Sequence, residues 1–320
     1  MHAIQVHAHG GPEVLEFVEL PELEPAEDQI RVDLEAAGVN PVDTYQRAGS
    51  QGYARELPFT PGIDGAGVVS AVGSPDLGFG TGDRVYLAGS LTGTYATQCL
   101  CSPDQLDVLP EQLSFEQGAA LWVNYATAYR ALFQRGNATT AERVLVHGAT
   151  GGVGVAAVQW CKHHGIAVAG TYGSSEGRKL LDSLGVSEYA DHGSADHASA
   201  LGRIAGESAF DIIIEMLANE NLELDLSLLS RGGRVLVVGS RDKVEITPRL
   251  LMRNESDVRG VMLYGATAEE RQEIHQAIKG GARAGAISPV VQERVPLRDA
   301  AAAQRLVMAG GSHGKITLIP

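Results

Sequence analysis

Four glycines, Gly148, Gly151, Gly152 and Gly154 in RVLVHGATGGVG, stand between a short apolar run and the pattern of a helix. Three of them give the spacing G-x-x-G-x-x-G, one residue longer at the front than G-x-G-x-x-G. A pyrophosphate can rest on backbone N–H groups at a helix N-terminus only where no Cβ intrudes, and such a loop meets that need. The competing reading is a turn that merely tightens helix packing; the place of the loop between strand and helix favours the phosphate site. At the tip of the next strand, about 20 residues on, an NAD site sets an acidic side chain against the ribose. That tip reads GTYGSSEGRK, with Gly173 and Ser174 in the turn and Arg178 and Lys179 one helical turn beyond. A hydroxyl with two cations suits a 2′-phosphate, so the expected cofactor is NADPH. Glu176 could serve a ribose instead, and Arg178 and Lys179 could form an ordinary solvated helix face.

The elements that must hold this loop follow from periodicity. From Glu142 to about Leu263 strands and helices alternate: RVLVHG, IAVAGTYG, FDIIIEML and GRVLVVGS are buried β-branched runs, and GGVGVAAVQWCKHHG and SEGRKLLDSLG are helices. Such runs suit parallel strands covered on both faces, and repeated βα units give a doubly wound sheet of Rossmann type. The first 110 or so residues differ. AIQVHAHG, LEFVELP, QIRVDLEAAGV, GAGVVSAVG, DRVYLAG and TYATQCLC alternate apolar and polar residues as half-buried antiparallel strands do. SFEQGAALWVNYATAYRALFQ then has helical spacing, with Ser114 and Gln117 placed for a capping box. Helices near AEERQEIHQAIKG and DAAAAQRLVMAG and a last strand KITLIP complete the chain.

Composition bounds the rest. The 320 residues are 44% hydrophobic and 20% charged, a globular composition long enough for two domains. A formal charge of −14 offers no electrostatic footprint for DNA or RNA. No run approaches 18 apolar residues and the N-terminus lacks a signal-peptide core, so a cytoplasmic protein with no membrane partner is expected. Three cysteines, Cys99, Cys101 and Cys161, are too few for a disulfide framework and read as reduced structural residues.

Longer stretches carry a resemblance. GGPEVL, AAGVNPVDTYQRAG, PGIDGAGVVSAVG, GDRV, GAALWVNYATAYRAL, VLVHGATGGVG, DIIIEMLANENLELDLSLLSRGGRVLVVGS and EITPR together resemble the zeta-crystallin-type quinone oxidoreductases of the medium-chain dehydrogenase/reductase superfamily. The resemblance implies a β-rich GroES-like catalytic domain over residues 1–122, a Rossmann NADPH-binding domain over 123–264, and a segment 265–320 returning to the first. It implies Tyr45 at the nicotinamide end, with Thr150, Gly151, Gly152 and Val153 at the phosphates and Gly173 and His192 at the adenosine. Asn221, the run Val238, Gly239, Ser240 and Arg241, and the segment Val261, Met262 and Leu263 would line the rest of the cofactor path, with Thr127 beside it. His192 could equally be a surface loop histidine, and in GSHGKITLIP His313 replaces small residues of the family.

Zinc enzymes of that superfamily carry Cys, His and a second Cys or an acid where this sequence has Asn40, Ile63 and about Val123, and their hydroxyl relay falls at Val42. Isoleucine and valine donate no lone pair, and an amide is a poor zinc ligand, so no metal is expected. What remains beside a nicotinamide is a slot with Asn40, Asp43, Tyr45 and Tyr53 as positioning and polarising groups. Asn40 could instead only cap the turn before Pro41. A quinone suits the slot, reduced by one-electron transfer to semiquinone or by hydride transfer. The alternatives are an enone or alkenal double-bond reductase, and a structural or RNA-binding protein with little turnover. Family members pair through the cofactor domain, which implies a homodimer or a homotetramer.

Overall fold

The computed structural model describes residues 1–50 and 52–320. In chain order the strands are β1 (His2–Val6), β2 (Leu15–Glu19), β3 (Ile30–Val39), β4 (Asp64–Val72), β5 (Arg84–Ala88), β6 (Gln98–Cys101) and β7 (Leu106–Val108). There follow β8 (Arg143–Val146), β9 (Ala167–Tyr172), β10 (Tyr189–Asp191), β11 (Phe210–Glu215), β12 (Leu229–Val237), β13 (Asp257–Gly260), β14 (Val291–Pro296) and β15 (Lys315–Ile319). Two units divide them: Met1–Val123 with Ser288–Gly310 and Gly314–Pro320, and Asn124–Ile287 with Gly311–His313.

In the first unit the order β14-β15-β3-β4-β5-β7 forms a sheet, with β6 also paired to β3. Neighbours are antiparallel except β14 and β15. Strand β3 shows why: Ile30, Val32 and Leu34 alternate inward, onto Val69, Val85, Leu87 and Cys99. A second core gathers Ile4, Val39, Tyr95, Ile316 and Leu318 under the helix Ala300–Met308. The three cysteines are buried free thiols.

In the second unit the order β10-β9-β8-β11-β12-β13 is parallel throughout, which is the Rossmann order 3-2-1-4-5-6. Strand β11 is central, and Ile212, Ile213 and Ile214 are fully buried, as a strand covered on both faces requires. The expected α/β class with a β-rich partner unit is the observed one.

Two expectations shift. The long helix expected from Ser114 starts with its capping box, Ser114 Oγ accepting from the Gln117 N–H at 3.2 Å. It then alternates between α turns (Phe115–Gly118, Thr127–Tyr129) and π turns (Trp122–Ala126, Arg130–Arg135). The boundary expected after residue 264 is also displaced, because the helix Ala268–Arg283 stays with the second unit. It buries Ile274 and Ile278, and its Glu273 accepts from the Tyr129 hydroxyl at 3.0 Å. An amphipathic pattern announces a helix but not which core it covers.

Candidate active site

Just past β8, Gly148 takes φ 56°, a conformation that favours glycine. A Cβ on Gly154 would fall 2.1 Å from the Gly148 carbonyl oxygen, and one on Gly152 would fall 2.6 Å from the Asn124 amide. Gly154 therefore lets the helix Gly152–His163 close onto the loop, and Gly152 lets its first turn pack against Asn124. Gly151 stands at its N-cap and no side chain caps it. The orphan N–H groups of that first turn remain for an anion, so loop and helix fit a dinucleotide pyrophosphate. Thr150 is committed locally: its hydroxyl donates to the Ser312 carbonyl at 2.6 Å. Val153, in the first turn, is half-buried.

At the tip of β9 the expected set separates. Ser174 caps the helix Ser175–Ser183, its Oγ accepting from Gly177 N–H at 3.1 Å and donating to the Gly311 carbonyl at 3.2 Å. Its donor proton is thus directed at a backbone carbonyl. Arg178 lies over the Tyr189 ring, 5.7 Å from its centroid, whereas Lys179 is exposed. Glu176 is also exposed, and its carboxyl is held below the usual range by the Ser175 hydroxyl, its own N–H, Lys179 and His313. Gly173 and His192 adjoin, since a Cβ at 173 would fall 2.3 Å from His192 Nε2.

A pocket of about 350 Å³ opens where β9, β8 and β11 end, lined by His147, Gly148, Thr171, His192, Glu215 and Asn221 among others. Ligands of open α/β sheets bind at this kind of switch point. Two of the expected cofactor contacts, His192 and Asn221, lie in it. Glu215 closes β11, and its Oε1 accepts from the Leu217 N–H and from Asn221 Nδ2. Burial pushes the Glu215 carboxyl up to about 7.

The other expected contacts lie outside that lining. Val238 and Gly239 donate their N–H groups to the Glu215 carbonyl at 2.8 and 3.3 Å. Ser240 and Arg241 fold around Asn219 Oδ1, which accepts the Arg241 N–H at 2.9 Å. Val261 and Leu263 are buried, and Met262 is exposed with its carbonyl held by Arg130 Nε at 3.1 Å. Thr127 is buried in the mixed helical segment.

In the first unit Asn40 caps the helix Pro41–Ala48 with Asp43 in a capping box, Asp43 Oδ2 accepting the Asn40 N–H at 2.8 Å. Both ends of its amide are engaged: Lys315 Nζ donates to Oδ1 at 2.5 Å, and Nδ2 donates to Asp64 Oδ2 at 3.0 Å. Lys315 also donates to Asp64 Oδ2 at 2.7 Å, and Asp64 Oδ1 takes the Val123 N–H at 2.9 Å. Asp43 accepts from the Tyr95 hydroxyl at 3.0 Å, and burial pushes its carboxyl up to about 7 against that bond, the Asn40 N–H and Lys315. Asn40 at 2% and Asp43 at 0% exposure are thus buried where these bonds hold the start of the helix. Tyr45 and Tyr53 are half-buried, their ring centroids 5.5 Å apart and tilted by 55°.

With both units described, likeness to known proteins can be weighed. An alcohol dehydrogenase GroES-like domain model matches residues 26–172, and a zinc-binding dehydrogenase model matches 152–280. The chain is 43% identical to quinone oxidoreductase of Homo sapiens over 323 residues, 100% of this chain and 98% of that relative. The chain belongs to the quinone oxidoreductase family. Quinone oxidoreductase 1 of Escherichia coli K12 is 32% identical over 99% of each chain. A solved quinone oxidoreductase of Escherichia coli, complexed with NADPH, superposes with TM-score 0.90 at 31% identity, covering 100% of both chains.

In this quinone oxidoreductase, the positions set against zinc ligands hold the Asn40 amide, the buried side chain of Ile63, and Val123, whose N–H serves Asp64. Beside them the chain supplies a cation of its own, Lys315. Sequence reasoning missed Lys315, His147, Glu215 and Asp225. The available signals were a lysine opening the apolar strand KITLI, and an acid and a histidine at the ends of the buried runs FDIIIE and RVLVH.

Proposed function

We propose that the protein is an NADPH-dependent quinone oxidoreductase whose chemistry needs no zinc. The observation that carries it is the uncapped glycine cradle after β8, in a chain like quinone oxidoreductases along its whole length. Bound NADPH supplies the reducing equivalents. The chain's part is to hold and orient. First-turn N–H groups at Gly152 and Val153 take the pyrophosphate, Lys179 with Arg178 faces the 2′-phosphate, and His192 beside Gly173 takes the adenosine. Asn221, Val238 to Arg241 and Val261 to Leu263 border the remaining path.

A conjugated quinone already accepts electrons, so charge developing on its oxygen needs hydrogen-bond donors rather than a Lewis acid. Tyr45 and Tyr53 are the donors proposed, with Asn40, Asp43 and Lys315 fixing the helix that carries Tyr45. Titration with NADPH and NADH, then turnover on ortho- and para-quinones and on alkenals, tests the reading. Tighter binding of NADH overturns the cofactor choice, and turnover of alkenals alone overturns the substrate class in favour of a double-bond reductase.

The assembly proposed is a homodimer, which sedimentation would distinguish from a tetramer, and the compartment proposed is the cytoplasm. Among the described residues no helix is long and apolar enough to cross a membrane. Acidity argues against an RNA-binding role.

A further inference from the structure

Three titratable side chains meet at the base of the second unit's pocket without a task in the cofactor reading. His147, Glu215 and Asp225 each bring one atom within 4.8 Å of the others, and their side chains are 4%, 0% and 0% exposed. His147 Nε2 lies 2.8 Å from Asp225 Oδ1 and 3.6 Å from Glu215 Oε2. Glu215 Oε1 is saturated by the Leu217 N–H and Asn221 Nδ2. By contrast Glu215 Oε2 and Asp225 Oδ2 receive no donor, although the two carboxyls approach to within 4.8 Å of each other. Among the described residues no lysine or arginine pairs with either one. The other titratable groups facing the cluster are His197, 6.2 Å from the His147 ring, His192 across the pocket, Asp191 beside those two histidines, and Glu220 on the pocket wall.

Two buried carboxylates with one imidazole cannot all keep their ordinary ionisation. With His147 neutral and its proton at Nε2, that proton is spent on Asp225 Oδ1 at 2.8 Å. A proton on Glu215 Oε2 resolves what is left: Oε2 becomes a donor to Asp225 Oδ2, and Oε1 stays a carbonyl-like acceptor for Leu217 and Asn221. We propose that Glu215 keeps this proton against Asp225, and that the protonated carboxyl is the positioning group that fixes Asn221 for nicotinamide-nucleotide binding. The Asn221 amide then gives Nδ2 to the protein and offers Oδ1 as acceptor to a hydroxyl of the ligand. The inference rests on the cofactor reading of this pocket.

Burial raises both carboxyls and lowers His147, in keeping with that assignment. The proton is therefore held at acid pH and is lost as pH rises through about 7. A second negative charge then faces Asp225, Glu215 turns from it, and Asn221 loses its anchor.

NADPH titrations of the full chain between about pH 6 and pH 9 test this, in wild type and in Glu215→Gln, with the KM for NADPH read separately from kcat. Gln keeps a carbonyl for Asn221 and a donor for Asp225 at every pH. Expected is an affinity that falls about tenfold with rising pH in wild type and stays flat in the variant, carried by KM rather than kcat. Ionisation of the NADPH phosphate is common to both, so the difference between the profiles is the readout. Parallel profiles overturn the proposal alone; no NADPH binding by wild type at any pH overturns the cofactor reading and the proposal with it. Stoichiometric Zn²⁺ bound by wild type and lost in Glu215→Gln also overturns it, making the cluster a cation site. Should Glu215→Gln not fold, Asp225→Asn removes the charge that retains the proton, and the fall in affinity must move to lower pH; an unmoved fall overturns the proposal.

Discussion

Lys315 Nζ lies 2.7 Å from Asp64 Oδ2, with the two side chains 4% and 0% exposed. The pair joins the first residue of β15 to the first of β4 and orients the Asn40 amide between them. Removing one partner of a buried pair leaves an uncompensated charge, at a cost of about 3–5 kcal/mol. Lys315→Met should lower stability in urea by that amount. The double variant Lys315→Met/Asp64→Asn should lose less than Lys315→Met alone, and an equal or larger loss would refute the coupling.

The carboxyl of Asp43 moves from 3.8 to about 7 in the folded protein. A raised value means that the stability held by the protonated acid is full below the unfolded pKa and disappears as pH climbs through the folded one. Melting temperature should therefore fall between about pH 4 and pH 7. Asp43→Asn should reduce that slope, since Asn keeps an oxygen for the Asn40 N–H and the Tyr95 hydroxyl. Calorimetry across this range gives the answer.

The glycine loop predicts an order of severity. A Cβ at Gly154 meets backbone 2.1 Å away, which has to move, whereas one at Gly173 meets the far end of the His192 side chain. Gly154→Ala should weaken NADPH binding by ~100-fold, equivalent to ~3 kcal/mol. Gly173→Ala should weaken it by ~10-fold or less. Isothermal titration measures both, and equal losses would mean that the close approach is not what the loop requires.

The tip of β9 separates cofactor recognition from capping. Lys179→Ala should raise the Kd for NADPH about tenfold and leave that for NADH unchanged, since only the 2′-phosphate differs. Ser174→Ala should cost about 1 kcal/mol of stability as a lost cap. It should affect both cofactors alike. A selective loss of NADPH in Ser174→Ala would restore the hydroxyl as a phosphate contact.

These contrasts show what the sequence made legible. Runs such as FDIIIE and GRVLVV declare buried parallel strands because burial on both faces removes polar alternation, and the glycine loop between strand and helix declares its phosphate chemistry. The cap made by Ser174 was not legible because a hydroxyl at a strand tip looks the same as ligand or cap until its partners are known. The Lys315 cluster was invisible for another reason. It joins residues 275 and 251 positions apart in the chain, and no local pattern encodes such a meeting. His147, Glu215 and Asp225 likewise come from the turn after β8, the end of β11 and the helix Ala218–Leu228.

The order β14-β15-β3 has a consequence for synthesis on the ribosome. Strand β15 occupies an interior place in the first unit's sheet, yet of the strands described it is translated after all the others. Until it emerges, β3 presents an open edge and Asp64 lacks its cation. The second unit's six strands are all complete about 55 residues earlier, at Gly260, ahead even of β14. The unit that begins the polypeptide is thus completed after the second, against the usual vectorial order, and a chain that stops before Lys315 lacks the strand that joins β14 to β3.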